Sequence, residues 1–80
     1  MTVTALLFAS YADVLRRESI EFTLPLGSTV SDVLARVRAL PGGAVLPPTP
    51  LVAVNHEYAR ADVVLSSGDE IAIIPPVAGG

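Results

Sequence analysis

Gly27-Ser28-Thr29-Val30-Ser31-Asp32-Val33-Leu34-Ala35-Arg36-Val37-Arg38-Ala39-Leu40-Pro41-Gly42-Gly43 is the stretch that decides the fold. Val30, Val33, Leu34, Val37 and Leu40 recur at helical spacing and make one apolar stripe. Thr29 stands where a helix needs an N-cap for its orphan amides, and Asp32 takes the third helical position as a short-armed capping box. Asp32 and Arg36 lie four apart on the wet face and are placed to pair. Pro41-Gly42-Gly43 stops the helix. A helix with one apolar stripe buries it against one sheet face, so the flanking strands set the architecture.

Upstream, Thr2 to Phe8 reads as a strand, with Val3, Ala5 and Leu7 on one side and Leu6 and Phe8 on the other. Both sides are apolar, so one serves the helix and the second is left for a partner. Ser10 is placed to cap a short helix through Arg17, with Tyr11, Val14 and Leu15 at helical spacing. Ile20, Phe22 and Leu24 alternate with Glu21 and Thr23, a half-buried strand ended by Pro25 and antiparallel to the first. Downstream, residues 42–50 read as a loop, because Pro47, Pro48 and Pro50 oppose regular structure. Leu51 to Val54 forms a short strand, Asn55 and His56 a turn, and Tyr58-Ala59 a brief edge strand. Val63 to Leu65 leads to the turn Ser66-Ser67-Gly68-Asp69. The final strand, Glu70 to Ile74, is apolar on both faces and therefore central, placed beside the first. The sum is an α+β fold of β-grasp type: a mixed sheet wrapped around one main helix over residues 1–74, with an extended tail over 75–80.

A chain of 80 residues holds one domain, and a domain this small buries only ~60–65% of the surface its unfolded chain exposes. Apolar residues make up 51%, which leaves apolar surface over for a partner. No apolar run approaches the ~18 residues of a membrane span, and the first residues lack the basic stretch of a secretory signal. The expected location is cytoplasmic, without membrane contact.

Cysteine is absent, which excludes a disulfide framework, a thiolate metal site and a cysteine nucleophile. His56 is the one histidine and alone builds no metal site, so neither a metal nor a tightly bound cofactor is expected. Lysine is also absent, and Arg16, Arg17, Arg36, Arg38 and Arg60 carry the positive charge against a formal net charge of −3. Nucleic-acid binding needs a basic face; an acidic surface suits a basic protein partner instead. His56, Asp69 and Glu70 read as turn residues rather than an acid–base set. Arg36 and Arg38 read as a wet helix face near the negative end of the helix dipole.

The last six residues, Pro75-Pro76-Val77-Ala78-Gly79-Gly80, carry the chemistry. Two prolines cannot donate ladder hydrogen bonds, so the sheet ends before them and the chain leaves extended. Val77 and Ala78 are small and apolar. Gly79 and Gly80 lack a Cβ and pass through a slot too narrow for any side chain. The bland alternative is that a diglycine end is a frayed terminus or a cloning scar. Against it stand the stiff apolar lead and the β-grasp reading of what precedes it.

Several runs are shared with a known group: Phe8-Ala9 ending the first strand, Gly27-Ser28-Thr29-Val30 opening the helix, Val54-Asn55 before the turn, and Gly68-Asp69-Glu70 through Ile73-Ile74-Pro75-Pro76-Val77-Ala78-Gly79-Gly80. On these the chain resembles, over its whole length, the ubiquitin-like sulfur carriers of the MoaD/ThiS family, in particular the small subunit of molybdopterin synthase. The resemblance implies a carrier in molybdenum cofactor biosynthesis, a sulfur-donating subunit rather than an enzyme alone. Its Gly80 carboxylate is adenylated by an ATP-using enzyme of the ubiquitin-activating type, and a sulfur donor protein converts it to a thiocarboxylate. The large synthase subunit, paired with the carrier in a heterotetramer, then uses the sulfur on cyclic pyranopterin monophosphate. Only Gly80 takes part covalently, and Gly79 gives it access. Phe8, Tyr58 and Ile74 match the family's docking patch, with Pro75, Pro76 and Val77 as the stalk. The sequence departs from many relatives after Phe8-Ala9, where an arginine gives way to Ala12 and Asp13. Two other readings share the diglycine end: a thiamine-pathway sulfur carrier, and a protein modifier joined through Gly80 to target lysines.

Overall fold

A computed structural model of the chain describes residues 1–76. Its elements are β1 (Thr2–Leu7), α1 (Ala9–Leu15), β2 (Ser19–Thr23), α2 (Val30–Arg38), a 3-10 turn (Gly43–Val45), β3 (Leu51–Val54), β4 (Glu57–Tyr58) and β5 (Glu70–Ile74). They form one mixed sheet in the order β2-β1-β5-β3-β4. Its centre is the parallel pair of first and last strands, with Ala5 opposite Ile71 and Leu7 opposite Ile73. β2 runs antiparallel on the other side of β1, and β3 antiparallel on the other side of β5. The expected central place of β5 and its position beside β1 both hold, and the topology is that of a β-grasp.

Strand alternation sorts the side chains. Val3, Ala5, Leu7, Ile20, Val52, Ile71 and Ile73 face inward and are buried, together with Val30, Val33, Leu34 and Val37 of α2. Each fully buried aliphatic side chain in such a layer contributes roughly 1.5–3 kcal/mol. The α2 stripe is therefore the second half of the core, as its spacing requires. Tyr11 and Leu15 of α1 close one end of the core, and Leu24, Leu46 and Leu65 seal its edges.

Local chemistry differs from the sequence reading at a few points. A capping box joins Thr29 and Asp32, in which the Thr29 amide donates to Asp32 Oδ2 at 2.8 Å. That carboxylate is occupied by the cap rather than by Arg36. The α1 helix starts at Ala9 behind Phe8 without a side-chain cap, so Ser10 lies inside the first turn. The same helix ends at Leu15 because Arg16 turns left-handed at φ 58°. Arg38 leaves the wet face: its guanidinium donates to the carbonyls of Pro47 and Pro48 at 2.7 and 3.1 Å. These carbonyls belong to the proline-rich loop, whose backbone has few donors of its own and finds one on the helix. Gly43 packs so tightly against the end of α2 that a Cβ would clash with the Val37 carbonyl oxygen, which fixes the path out of α2.

Trimming Ile71 to alanine at the sheet–helix contact is expected to cost about 2–5 kcal/mol. Urea unfolding followed by circular dichroism measures it.

Candidate functional site

The face of the sheet turned away from α2 carries the residues singled out for docking. The register arranges them in rows. Thr23 lies opposite Thr2, then Glu21 and Glu70 lie on either side of Thr4, and Ser19, Leu6, Ala72, Ala53 and Tyr58 follow across all five strands. Beyond that row Ile74 pairs with Leu51, and Phe8 follows Leu6 at the end of β1. The face thus grades from hydroxyl and carboxylate groups at one end to apolar groups at the end where β5 gives way to Pro75.

Size as well as polarity is ordered. Ala72 and Ala53 are small and sit in the middle, whereas Leu6, Phe8, Ile74 and Tyr58 stand around them. The result is a shallow concavity of about 350 Å³ lined by Leu6, Phe8, Ala53, His56, Tyr58, Glu70, Ala72 and Ile74. Phe8, Leu51 and Tyr58 are 46, 46 and 77% exposed, a large apolar outlay for one face of so small a domain. The structure brings Phe8, Tyr58 and Ile74 together, as the sequence reading required. Pro75 and Pro76 follow directly from this patch, half-buried and exposed respectively. Val77, Gly79 and Gly80 lie outside the described residues.

The backbone explains why these motifs have their residue types. Phe8 is still extended, at φ −121° and ψ 153°, so its side chain continues the outward alternation of β1. The next residue, Ala9, has φ 47°, a left-handed conformation that costs roughly 1–2 kcal/mol for a residue with a Cβ. Alanine is the smallest residue to bear that cost, and it swings the chain from strand to helix immediately behind the phenylalanine. At the far end, Asn55 and His56 both have positive φ, 49° and 72°, and link Val54 to its partner Glu57. Two such residues make the tight turn whose twist suits a hairpin.

Asn55 also reaches the turn before β5. Its Nδ2 donates to Asp69 Oδ1 at 2.9 Å, and its Oδ1 accepts the Glu70 amide at 3.0 Å. The Asn55 amide donates to the Glu70 carbonyl at 2.9 Å, and Asp69 Oδ2 accepts the Ser66 amide at 2.7 Å. The Val54-Asn55 and Gly68-Asp69-Glu70 motifs are therefore one hydrogen-bonded joint between the β3–β4 turn and the start of β5.

Sequence reading missed Ala53 and Ala72 as the floor of the concavity, although period-2 alternation along β5 places Ala72 beside Leu6 once the strands are paired. His56, read as a turn residue, is in the turn and exposed, and it stands at the edge of the concavity. No group of three or more histidine, cysteine or acidic side chains is placed to hold a metal among the described residues. None of their helices is long and apolar enough to cross a membrane.

Comparison with known proteins follows the same lines. Residues 5–80 match the ThiS family. The chain is 42% identical over 79 residues to the molybdopterin synthase sulfur carrier subunit of Dictyostelium discoideum, covering 94% of this chain and 92% of that one. Identity to the subunit of the same name from Chlamydomonas reinhardtii is 36% over 83 residues, covering all of both chains. Among solved structures, the small archaeal modifier protein 1 of H. volcanii superposes with a TM-score of 0.82 at 29% identity, covering 95% of this chain and 98% of that one.

Neighbouring positions on β1 give a test of this face. Phe8→Asp is expected to change unfolding free energy by less than about 1 kcal/mol, as a surface substitution does. Leu7→Asp, one residue back, buries an unpaired carboxylate and is expected to leave little folded protein. Thermal unfolding of the two variants side by side reads the difference.

Proposed function

The chain belongs to the ThiS family, and from that premise we propose that it is the sulfur carrier subunit of a molybdopterin synthase. The observation that carries the reading is its near-full-length identity to the Dictyostelium subunit of that name. The apolar sheet face that ends at Pro75 supports it, since a carrier needs a docking surface continuous with its reactive tail.

The chemistry resides in one carboxylate. A carboxylate resists nucleophiles because its charge is delocalised and its leaving group would be oxide. Attack of the Gly80 carboxylate oxygen on the α-phosphorus of ATP, at an adenylating partner, expels pyrophosphate and leaves an acyl-adenylate. Sulfur delivered by a donor protein then attacks the acyl carbon, and AMP departs with the bonding electron pair. A thiol then reduces the bond that still joins the sulfur to its donor, supplying the two electrons, and Gly80 ends in a thiocarboxylate. At the large synthase subunit the thiocarboxylate sulfur is transferred to cyclic pyranopterin monophosphate, and two transfers complete one dithiolene. Glycine at 79 and 80 suits a narrow passage, because any Cβ adds width where the tail must thread. Pro75 and Pro76 end the sheet, because neither can donate a ladder hydrogen bond. Docking on Phe8, Tyr58 and Ile74 places the partner next to the point where the tail emerges, so binding energy from the face serves to position the tip.

A second reading has one observation in its favour, the likeness to the small archaeal modifier protein 1. In it the activated Gly80 carbonyl is attacked by a target amine rather than by sulfur, and an amide bond results. The thiamine-pathway alternative has less support, because all three matching curated relatives carry the molybdopterin name.

Incubation with the adenylating enzyme, ATP and a sulfide source separates these readings. The carrier is expected to gain about 16 Da, oxygen replaced by sulfur, and then to yield molybdopterin with the large subunit and cyclic pyranopterin monophosphate. An unchanged mass refutes the carrier reading, and higher-mass adducts in host extracts favour the modifier. Deleting Gly80 is expected to abolish transfer with the thermal midpoint unchanged. Gly79→Val is expected to slow activation at least about tenfold, the effect of a misplaced reacting group.

A further inference from the structure

The β4 edge of the sheet is incomplete, because β3 outruns its neighbour there. Along β3 the backbone groups alternate between its two sides. Asn55 donates its amide to the Glu70 carbonyl on the β5 side, and Val52 accepts the Ala59 amide on the β4 side. Pairing with β4 stops at that bond, since only Ala53 and Val54 have partners in register. The chain is drawn off toward the start of α2, where the Ala61 and Val63 carbonyls accept the Ser31 and Val30 amides. One donor is left behind. The Val52 amide has no acceptor among the described residues, although Val52 is only 3% exposed. Buried amides without a partner are rare in folded proteins. The Pro50 carbonyl, one alternation earlier on the same side, also lacks a donor among the described residues.

Both residues line a cavity of about 580 Å³, larger than the concavity on the sheet face. Val30 and Leu34 of α2 line it together with Leu51 and the proline loop, and Arg60 is its one charged side chain. In a chain of formal net charge −3 that is a local reversal of sign. Tyr58 lines this cavity and the sheet-face concavity alike, so the two surfaces are continuous.

We propose that this edge takes an extended segment of the protein docked on the sheet face, added as a short strand beside β3, with an apolar side chain in the cavity and an acidic one on Arg60. The inference rests on the carrier reading and adds to it the shape and charge of the partner's contact. A single residue of a parallel strand, lying opposite Leu51, accepts from the Val52 amide and donates to the Pro50 carbonyl. An edge with unpaired backbone groups is a template for such pairing. Main-chain bonds then give affinity and the side-chain pocket gives selectivity. Hydrophobic contact on the sheet face is non-directional, whereas a strand laid along β3 has a direction. The added strand therefore orients the partner relative to the point where the tail leaves.

Amide hydrogen exchange in the full chain, followed by NMR with and without the cognate molybdopterin synthase large subunit, tests this with no substitution. Val54 is the internal control, because its residue is already paired with Glu57 and general stabilisation by binding protects both. On complex formation Val52 exchange is expected to slow at least about tenfold more than Val54 exchange. Ala61→Phe, at an exposed position lining the cavity, is expected to bind about tenfold more weakly with its thermal midpoint unchanged. Arg60→Glu is expected to lose about fivefold at ~50 mM salt and to recover most of it at ~500 mM, because screening removes the charge contribution. Arg17→Glu, an equal change of charge outside the cavity, is expected to bind as the unmodified chain does. A complex in which Val52 and Val54 slow alike overturns the proposal. So does undiminished binding by Ala61→Phe, or the same loss in Arg17→Glu as in Arg60→Glu. Ile74→Asp separates the levels: loss of binding there, with Val52 slowing no more than Val54 in the unmodified complex, leaves the docking face standing and removes the added strand. No binding by the unmodified chain overturns both the partner and the strand.

Discussion

The parallel pairing of β1 with β5 is the constraint on which the rest of this protein depends. It joins the first and last strands of the chain, so the sheet is complete only when the whole sequence has folded. Ile71 and Ile73 go inward against the valines of α2, and that burial fixes the rotation of β5 about its axis. Ala72 and Ile74 must then face outward. A register slip of one residue would exchange the two sets and bury the docking face. Core packing and the outward patch are thus two consequences of a single alternation, with alternate residues of this strand given to the core and to the outward face.

The same pairing sets where the tail leaves. β5 ends at Ile74 because Pro75 and Pro76 cannot continue the ladder, and its neighbours there are the ends of β1 and the start of β3. The apolar side chains of those three strands, Phe8, Ile74 and Leu51, therefore gather at the exit. At the other end of β5 the Asn55–Asp69 joint holds the strand's first residue. In the proposed carrier role the reactive group lies in the tail, and the globular part has no active site of its own to preorganise. What its fold can supply is a defined exit and a surface for the partner that does the chemistry.

Much of the fold was legible because its periodicities are strong. The α2 stripe, the alternation in β1 and β2 and the two-sided β5 each have one physical solution, and the elements lie within a residue or two of where those patterns put them. The α1 cap was not legible. Ser10 is a favoured capping residue, but the left-handed Ala9 brings the helix start forward to satisfy the turn behind Phe8. Arg38 was misplaced for a similar reason: solvent exposure is the default for a helix arginine, and only the loop folded across it reveals two carbonyls in need of a donor. Tyr58 and Phe8 came from family likeness rather than from their spacing, since an aromatic on a short strand reads equally well as core.

By itself the sequence determined the element types, the central helix, the ends of the sheet at the prolines and a last pair of residues without a Cβ. These follow from local rules, namely side-chain periodicity, capping and the missing amide of proline, that act within a few residues. Tertiary structure alone decided which distant residues share a row. Thr4 lies between Glu21 and Glu70, Asn55 meets Asp69, and two alanines from β3 and β5 form the floor between Phe8, Ile74 and Tyr58. No local rule sets those neighbours, because they depend on the register between strands far apart in the chain, which is fixed only when the core closes.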